Sequence, residues 1–181
     1  MGRIVVHEFI SLDGVIESPS WTMAYGFDPR MGETIGGITS KSDAILLGRT
    51  TYEMFAPAWS TRTAEDDPGA PFFNDSPKYV VSGTLQEATW SNSTVLGAYD
   101  PERLRALKDE IPGDIYVSGS GMLVRGMLAD GLLDELNLFV FPVALGGGDK
   151  LFVEGTAAKL ALATTEVYDN GVVHLAYEPA A

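Results

Sequence analysis

An α/β fold built on a mixed, mainly parallel sheet is what this sequence predicts, on three observations. Eight apolar runs of strand length recur along the 181 residues. Most of them alternate with segments of helical pattern, the arrangement that yields parallel strands covered by helices. The last two flank Asp169-Asn170-Gly171, a hairpin signal that adds an antiparallel pair at the end. Compact domains run to roughly 100–200 residues, so residues 1–181 read as one domain.

The elements follow in order. The first strand, residues 3–10, carries Ile4, Val5, Val6, Phe9 and Ile10. Asp28-Pro29 opens a helix to about residue 40, because Asp caps free N–H groups and a first-turn proline has none to lose. Strand 44–47 runs into a short helix over 50–56. Residues 61–75, with Asp66-Asp67-Pro68-Gly69, read as a surface excursion. Strands 78–82 and 94–96 come next, then a helix over 102–110 between Asp100-Pro101 and Pro112-Gly113. Strand 114–117, a helix over 121–129, strand 135–141 and hairpin strands 164–168 and 172–177 complete eight strands and four helices. Both Asn170 and Gly171 are expected at positive φ in the hairpin turn.

Composition narrows the function. Twelve Lys and Arg against 25 Asp and Glu give a formal charge of −13, which repels a phosphate backbone and argues against nucleic acid as a partner. The absence of Cys excludes disulfides and thiolate chemistry and fits a reducing, cytoplasmic setting. No cleavable leader and no apolar stretch of about 18 residues is present, so no membrane partner is expected. His7 and His174 sit in strands without a second ligand at metal spacing, so no metal site is expected.

Chemistry concentrates where strands end in glycine and helices begin. Ile45-Leu46-Leu47-Gly48-Arg49-Thr50-Thr51 is one such junction, and Val117-Ser118-Gly119-Ser120-Gly121-Met122-Leu123 is another. Free N–H groups and the positive dipole end of a helix form an anion site, to which Arg49 adds charge. The competing reading of the first is that Thr50 caps its own helix and Arg49 is solvated. The second lacks the third glycine of the usual dinucleotide fingerprint, and a plain tight turn competes with it. In a parallel sheet both junctions open at the same carboxyl edge. Ser82-Gly83-Thr84 is either a turn or a contact for a ribose phosphate. Ser11-Leu12-Asp13-Gly14 is either a turn or a lid that excludes water from a hydride transfer.

These segments, together with Leu145-Gly146-Gly147-Gly148-Asp149-Lys150, resemble the dihydrofolate reductase superfamily. More closely they resemble the reductase domain of the bifunctional riboflavin-biosynthesis deaminase–reductase, in stand-alone form. The resemblance implies a dihydrofolate reductase-like eight-stranded sheet, NADPH as hydride donor, a small-molecule substrate and a homodimer. The implied substrate is a heterocycle such as 5-amino-6-(5-phosphoribosylamino)uracil, or another carbonyl or imine. Carried over by position, Gly48, Arg49 and Thr50 face the cofactor phosphates, and Gly119, Ser120, Gly121, Met122 and Leu123 the pyrophosphate. Ser82 and Gly83 lie near the adenosine ribose, and Leu12, Asp13 and Gly14 beside the nicotinamide.

Two departures matter. The chain has no Cys for a zinc deaminase, and Gly83 stands where many dihydrofolate reductases present an arginine. Asp13 is the candidate proton donor, with Glu17 and Asp28 as alternatives. Trp21 and Asp28 are candidate substrate contacts, against packing for Trp21 and helix capping for Asp28. A dihydrofolate reductase and a non-catalytic nucleotide-binding module stand as alternative functions.

Overall fold

The computed structural model describes residues 1–180. Its strands are β1 (Ile4–Ser11), β2 (Ser42–Gly48), β3 (Lys78–Val81), β4 (Ser93–Gly97), β5 (Asp114–Ser118), β6 (Glu135–Phe141), β7 (Leu160–Val167) and β8 (Val173–Pro179). They form one sheet in the order β4-β3-β2-β5-β1-β6-β8-β7. All pairs from β4 to β6 are parallel, and β6-β8 and β8-β7 are antiparallel. The helices are α1 (Pro29–Thr39), α2 (Arg49–Trp59), α3 (Ala70–Asp75), α4 (Pro101–Glu110) and α5 (Gly121–Ala129), with a 3-10 helix over Pro19–Tyr25. None among the described residues is long and apolar enough to cross a membrane.

The sheet is thus the expected one, but six helical segments replace the expected four. Both additions fall in stretches rich in Pro, Gly and Ser. In α3 the turn-forming residues are overridden by burial: Phe73 stacks on Trp59 with ring centroids 4.2 Å apart and meets Phe55 edge-on at 5.8 Å. Lys78, fully buried, closes that helix by donating to the carbonyls of Phe73 (2.7 Å), Asn74 (3.1 Å) and Ser76 (2.9 Å). Lys78→Met strips three carbonyls of their donor and is expected to cost about 3 kcal/mol. Thermal melts should then show a fall of roughly 6–12 °C.

The hairpin turn also differs. Tyr168 N–H donates to Val172 O at 2.9 Å and Gly171 N–H to Tyr168 O at 3.0 Å, which makes a three-residue loop. Only Gly171 has positive φ (86°); Asn170 instead uses its side chain, accepting from Val172 N–H and donating to Gly26 O.

Helices cover both faces. On one, Leu104, Leu107, Leu123, Val124 and Met127 of α4 and α5 pack on Ile4, Val6, Leu46 and Val117. On the other, Met31 of α1 packs against Phe139 and Phe141, while Tyr52 of α2 and Phe73 of α3 cover Ile45, Leu47 and Tyr116. The crossovers that leave β1 and β5 therefore lie on opposite faces. Between these two strands pairing ends at His7↔Ser118, although β1 continues beside β6 as far as Ser11↔Phe141. The sheet consequently opens at its carboxyl edge between β1 and β5, the switch point at which open α/β sheets bind ligands.

Candidate functional site

The two glycine junctions meet. Because β2 and β5 are parallel neighbours, Gly48 and the Ser118-Gly119-Ser120 turn emerge side by side. Gly48 N–H donates to Ser120 Oγ at 2.8 Å, and Ser120 Oγ donates to Thr51 Oγ1 at 2.8 Å. The contact is close enough that a side chain at either glycine would collide. A Cβ at Gly48 would lie 2.9 Å from Ser120 Oγ, and one at Gly119 2.9 Å from Thr51 Oγ1. Gly119 (φ 64°) and Ser120 (φ 69°) are both left-handed. For Ser120 that costs roughly 1–2 kcal/mol, which its two hydroxyl bonds offset.

Neither helix is capped by its own N-cap side chain. Gly48 has none to offer, and Ser120 spends its hydroxyl across the gap. Two sets of first-turn N–H groups and two positive dipole ends therefore lie at one edge of the sheet. Thr50 is not the cap of α2. It sits one residue inside the helix and is exposed, while the buried Thr51 makes the tie. The Arg49 guanidinium is half exposed, with Nε 4.0 Å from Glu53 Oε1. So weak a surface pair leaves it easy to redirect.

The remaining members of the second junction separate. Met122 is 81% exposed beside the open edge, whereas Leu123 is a core residue at 5%. Gly121 is buried, and its Cβ position is closed by Ile16 Cδ1 at 2.8 Å. Its side-chain face packs under the loop after β1. Register pairs Gly48 with Val81, so Ser82 and Gly83 open at the same edge. Ser82 Oγ already accepts from Leu85 N–H (2.9 Å) and Thr84 N–H (3.2 Å) and so builds its own turn, while Gly83 is exposed.

The loop after β1 is stitched down. Leu12 N–H donates to Val143 O (2.8 Å), Ile16 N–H to Asp149 O (2.9 Å) and Leu151 N–H to Gly14 O (3.0 Å). Leu12 itself points outward, 66% exposed. Asp13 accepts from Ser11 Oγ (2.6 Å), Leu145 N–H (3.0 Å) and Gly146 N–H (2.7 Å), which together hold its carboxyl far below the usual range. A carboxylate so engaged is favoured in its ionised form, and its bonds latch the loop after β1 to the glycine-rich segment. Asp13→Ala is expected to speed hydrogen exchange of the Leu145 and Gly146 amides at least tenfold, readable by NMR. Glu17 is likewise an acceptor, from Asp149 N–H at 3.0 Å.

Asp28 is an acceptor as well. One oxygen accepts from Arg30 N–H and caps α1; the other accepts from Asp169 N–H, each at 2.9 Å. The Asp169 bond is the chief reason its carboxyl lies below the ordinary value, with Arg30 adding to it. Asp28 therefore fastens α1 to the β7–β8 hairpin. Trp21 packs edge-on against Phe141 at 5.5 Å, and its indole N–H donates to Glu17 O. Its ring is committed to the aromatic cluster under α1.

Two buried polar residues stand at the split: His7, read from the sequence as a strand residue without a metal partner, and Glu8, which sequence reasoning passed over. His7 Nδ1 lies 2.7 Å from Tyr116 Oη, while its buried Nε2 has no partner; burial lowers its pKa to about 3, so the ring is neutral. Glu8, 3% exposed, follows the last β1–β5 pair. Its Oε1 has no partner, and burial pushes its pKa up to about 8. The signal was available: residue 8 shares the inward parity of Ile4, Val6 and Ile10, where a charge needs a reason. Among the described residues no cluster of His, Cys, Asp and Glu can hold a metal.

Known proteins resemble the chain in sequence and in fold. The chain is 28% identical over 184 residues to the uncharacterized protein YyaP of Bacillus subtilis, covering 97% of this chain and 94% of that one. Among solved structures, a Shewanella sp. PV-4 protein provisionally assigned to riboflavin biosynthesis superposes with a TM-score of 0.80 at 20% identity, each chain covered in full. Dihydrofolate reductase from Enterococcus faecalis, in complex with NADP(H), gives 0.66 at 14% identity over 99% of this chain and 98% of that one. The Thermotoga maritima diaminohydroxyphosphoribosylaminopyrimidine deaminase/5-amino-6-(5-phosphoribosylamino)uracil reductase gives 0.67 at 14% identity, with 99% of this chain matching 57% of that one. At such identities the structures establish a shared dihydrofolate reductase-like fold. The sequence model of the RibD C-terminal domain matches residues 3–174, and the chain belongs to that family.

Proposed function

We propose that the chain is an NADPH-dependent reductase acting on a small heterocycle, or on another small carbonyl or imine. The observation that carries this reading is the convergence of two uncapped helix starts beside the opening between β1 and β5. A dinucleotide diphosphate matches that pair of anion sites, and Arg49 supplies a nearby positive charge. The overall charge of −13 makes such local donors necessary. When bound, NADPH supplies the hydride, which adds to the carbon of a C=O or C=N bond while the heteroatom takes a proton. The chain's own part is to bind and orient. Gly119, Ser120 and the α2 start hold phosphate, Gly83 leaves room at the ribose end, and Leu12 and Met122 present apolar surface at the rim. The family and the Thermotoga neighbour support a pyrimidine of the 5-amino-6-(5-phosphoribosylamino)uracil type as substrate class. Asp28, with both oxygens engaged, counts against dihydrofolate. A homodimer belongs to the same reading, supported by exposed Leu162 and Val167 on β7, the outer strand.

A second reading has its own observation. Asp13 and Asp28 are both committed acceptors, which suits a nucleotide-binding module without catalysis. Thermal melts with NADPH and NADH, followed by absorbance assays with small acceptors, separate the two. NADPH at about 100 times its Kd stabilises by roughly 2.7 kcal/mol and should raise the midpoint more than NADH does. Equal failure of both nucleotides defeats both readings. Binding without hydride transfer to any acceptor favours the second. Arg49→Ala is expected to weaken NADPH about tenfold and NADH less, as removal of one charge-assisted contact does.

A further inference from the structure

We propose that the cleft between α1 and the amino ends of β1, β5 and β6 is a second binding site, for a small zwitterion that carries one ammonium and one carboxylate group. The cleft encloses about 220 Å³. It lies at the opposite edge of the sheet from the glycine junctions: Arg3 precedes β1, Asp114 opens β5 and Glu135 opens β6. It shares no residue with the proposed cofactor edge. α1 keeps it open by what the helix lacks. Gly36 and Gly37 stand inside α1, where glycine is a poor helix former, and a Cβ at either would meet nothing within 4 Å. Gly37 lines the cleft directly.

The floor is polar where a sheet face beneath a helix is ordinarily apolar. Asn137 and His174, 2% and 4% exposed, both line the cleft. A chain of hydrogen bonds runs inward from the rim. Arg3 Nη2 donates to Glu135 Oε2 (3.0 Å), Asn137 Nδ2 donates to Glu135 Oε1 (2.9 Å), and His174 Nε2 lies 2.8 Å from Asn137 Oδ1. With its amide nitrogen given to Glu135, Asn137 presents its oxygen to the ring, so Nε2 carries the hydrogen. Burial lowers the His174 pKa and favours the neutral ring, whose Nδ1 is then an acceptor without a partner among the described residues. An acceptor left open on a cleft floor calls for a donor from outside the chain. Charge at the rim selects that donor's class. Two cations, Arg3 and Lys41, and two carboxylates, Asp114 and Glu135, line the cleft and cancel in sum. Arg3 and Glu135 are already paired. The side chains of Lys41 and Asp114 have no partner among the described residues, although Asp114 N–H donates to Lys41 O at 2.9 Å. A dianion would meet two carboxylates and a lone cation two positive groups, while an apolar ligand would strand His174. A zwitterion offers its carboxylate to Lys41 and its ammonium to Asp114 and His174 Nδ1, so each open group gains a partner. A volume below the roughly 300–1,000 Å³ of drug-sized pockets limits it to a compact molecule.

The test is an NMR titration of the intact, isotope-labelled chain with glycine, L-alanine and L-asparagine, and with acetate and methylammonium as singly charged controls. At least one zwitterion is expected to give saturable shifts of the Gly37, Asn137 and His174 amides. Its Kd should lie about tenfold or more below those of the controls, as the loss of one charge-assisted contact requires. Gly37→Leu fills the cleft from a helix position with open space around it. That variant should melt no lower than wild type and lose the zwitterion's shifts. The proposal is overturned by no saturable shift from any of the three zwitterions, by equal binding of acetate or methylammonium, or by undiminished shifts in Gly37→Leu. Each of these results leaves the reductase reading intact. Should Gly37→Leu fail to fold, the contrast between zwitterions and controls on the wild-type chain decides alone.

Discussion

Gly119→Val is expected to abolish measurable NADPH binding and to lower the melting temperature in the same protein. The β-branched side chain meets two obstacles. Its Cβ would stand 2.9 Å from Thr51 Oγ1, and the backbone φ of 64° is one that a branched residue resists. Left-handed strain of roughly 1–2 kcal/mol and overpacking of about 1–3 kcal/mol add to a destabilisation of about 2–5 kcal/mol. The chain relieves them by withdrawing the turn from α2, which breaks the Ser120 bonds to Gly48 and Thr51. Both anion sites then lose their mutual alignment, and a loss of at least a hundredfold in NADPH affinity follows if they serve one ligand. Paired melts with and without NADPH check both halves. A destabilised variant that still binds with wild-type affinity separates the turn from the cofactor.

Glu8→Gln is expected to make the chain more stable at neutral pH. In the unfolded chain this carboxyl ionises near its usual 4.5, whereas in the fold it holds its proton to about 8. Between those values the folded state binds more protons than the unfolded one, so wild-type stability falls as pH rises through the interval. Keeping the acid neutral at pH 7 costs on the order of 3 kcal/mol, a cost that glutamine does not carry. The variant should therefore melt several degrees higher near pH 7.5, with the gain shrinking toward zero near pH 4.5. Denaturant titrations at the two pH values measure the difference. A gap of equal size at both would assign the effect to packing and not to ionisation.

The elements were legible where local pattern and tertiary need agree. Strands such as β2 and β5 read directly because fully buried parallel strands are continuous apolar runs. α3 was not, because Pro68, Gly69 and Pro71 speak for a turn while the deciding contact, Phe73 on Trp59, lies across the fold. The meeting of the two glycine junctions followed from parallel topology alone. The Ser120 hydroxyl that joins them did not, since it reaches Thr51 across 69 residues of sequence. Asp13 and Asp28 each offered two roles to a reader of the sequence. The N–H and O–H groups aimed at their oxygens show the structural one, and most of those donors lie more than 130 residues away in the chain, out of reach of local pattern. Glu8 was hidden inside a run judged by its apolar neighbours, and only its parity marked it.

A crystal structure of the chain with NADPH examines the shared phosphate site most directly. Diphosphate oxygens at hydrogen-bond distance, about 2.7–3.2 Å, from backbone N–H groups of the Gly119–Ser120 turn, with a further phosphate or ribose contact at Arg49 or Thr50, is the expected outcome. A nucleotide that engages only one of the two helix starts, or that lies away from the opening between β1 and β5, contradicts the account.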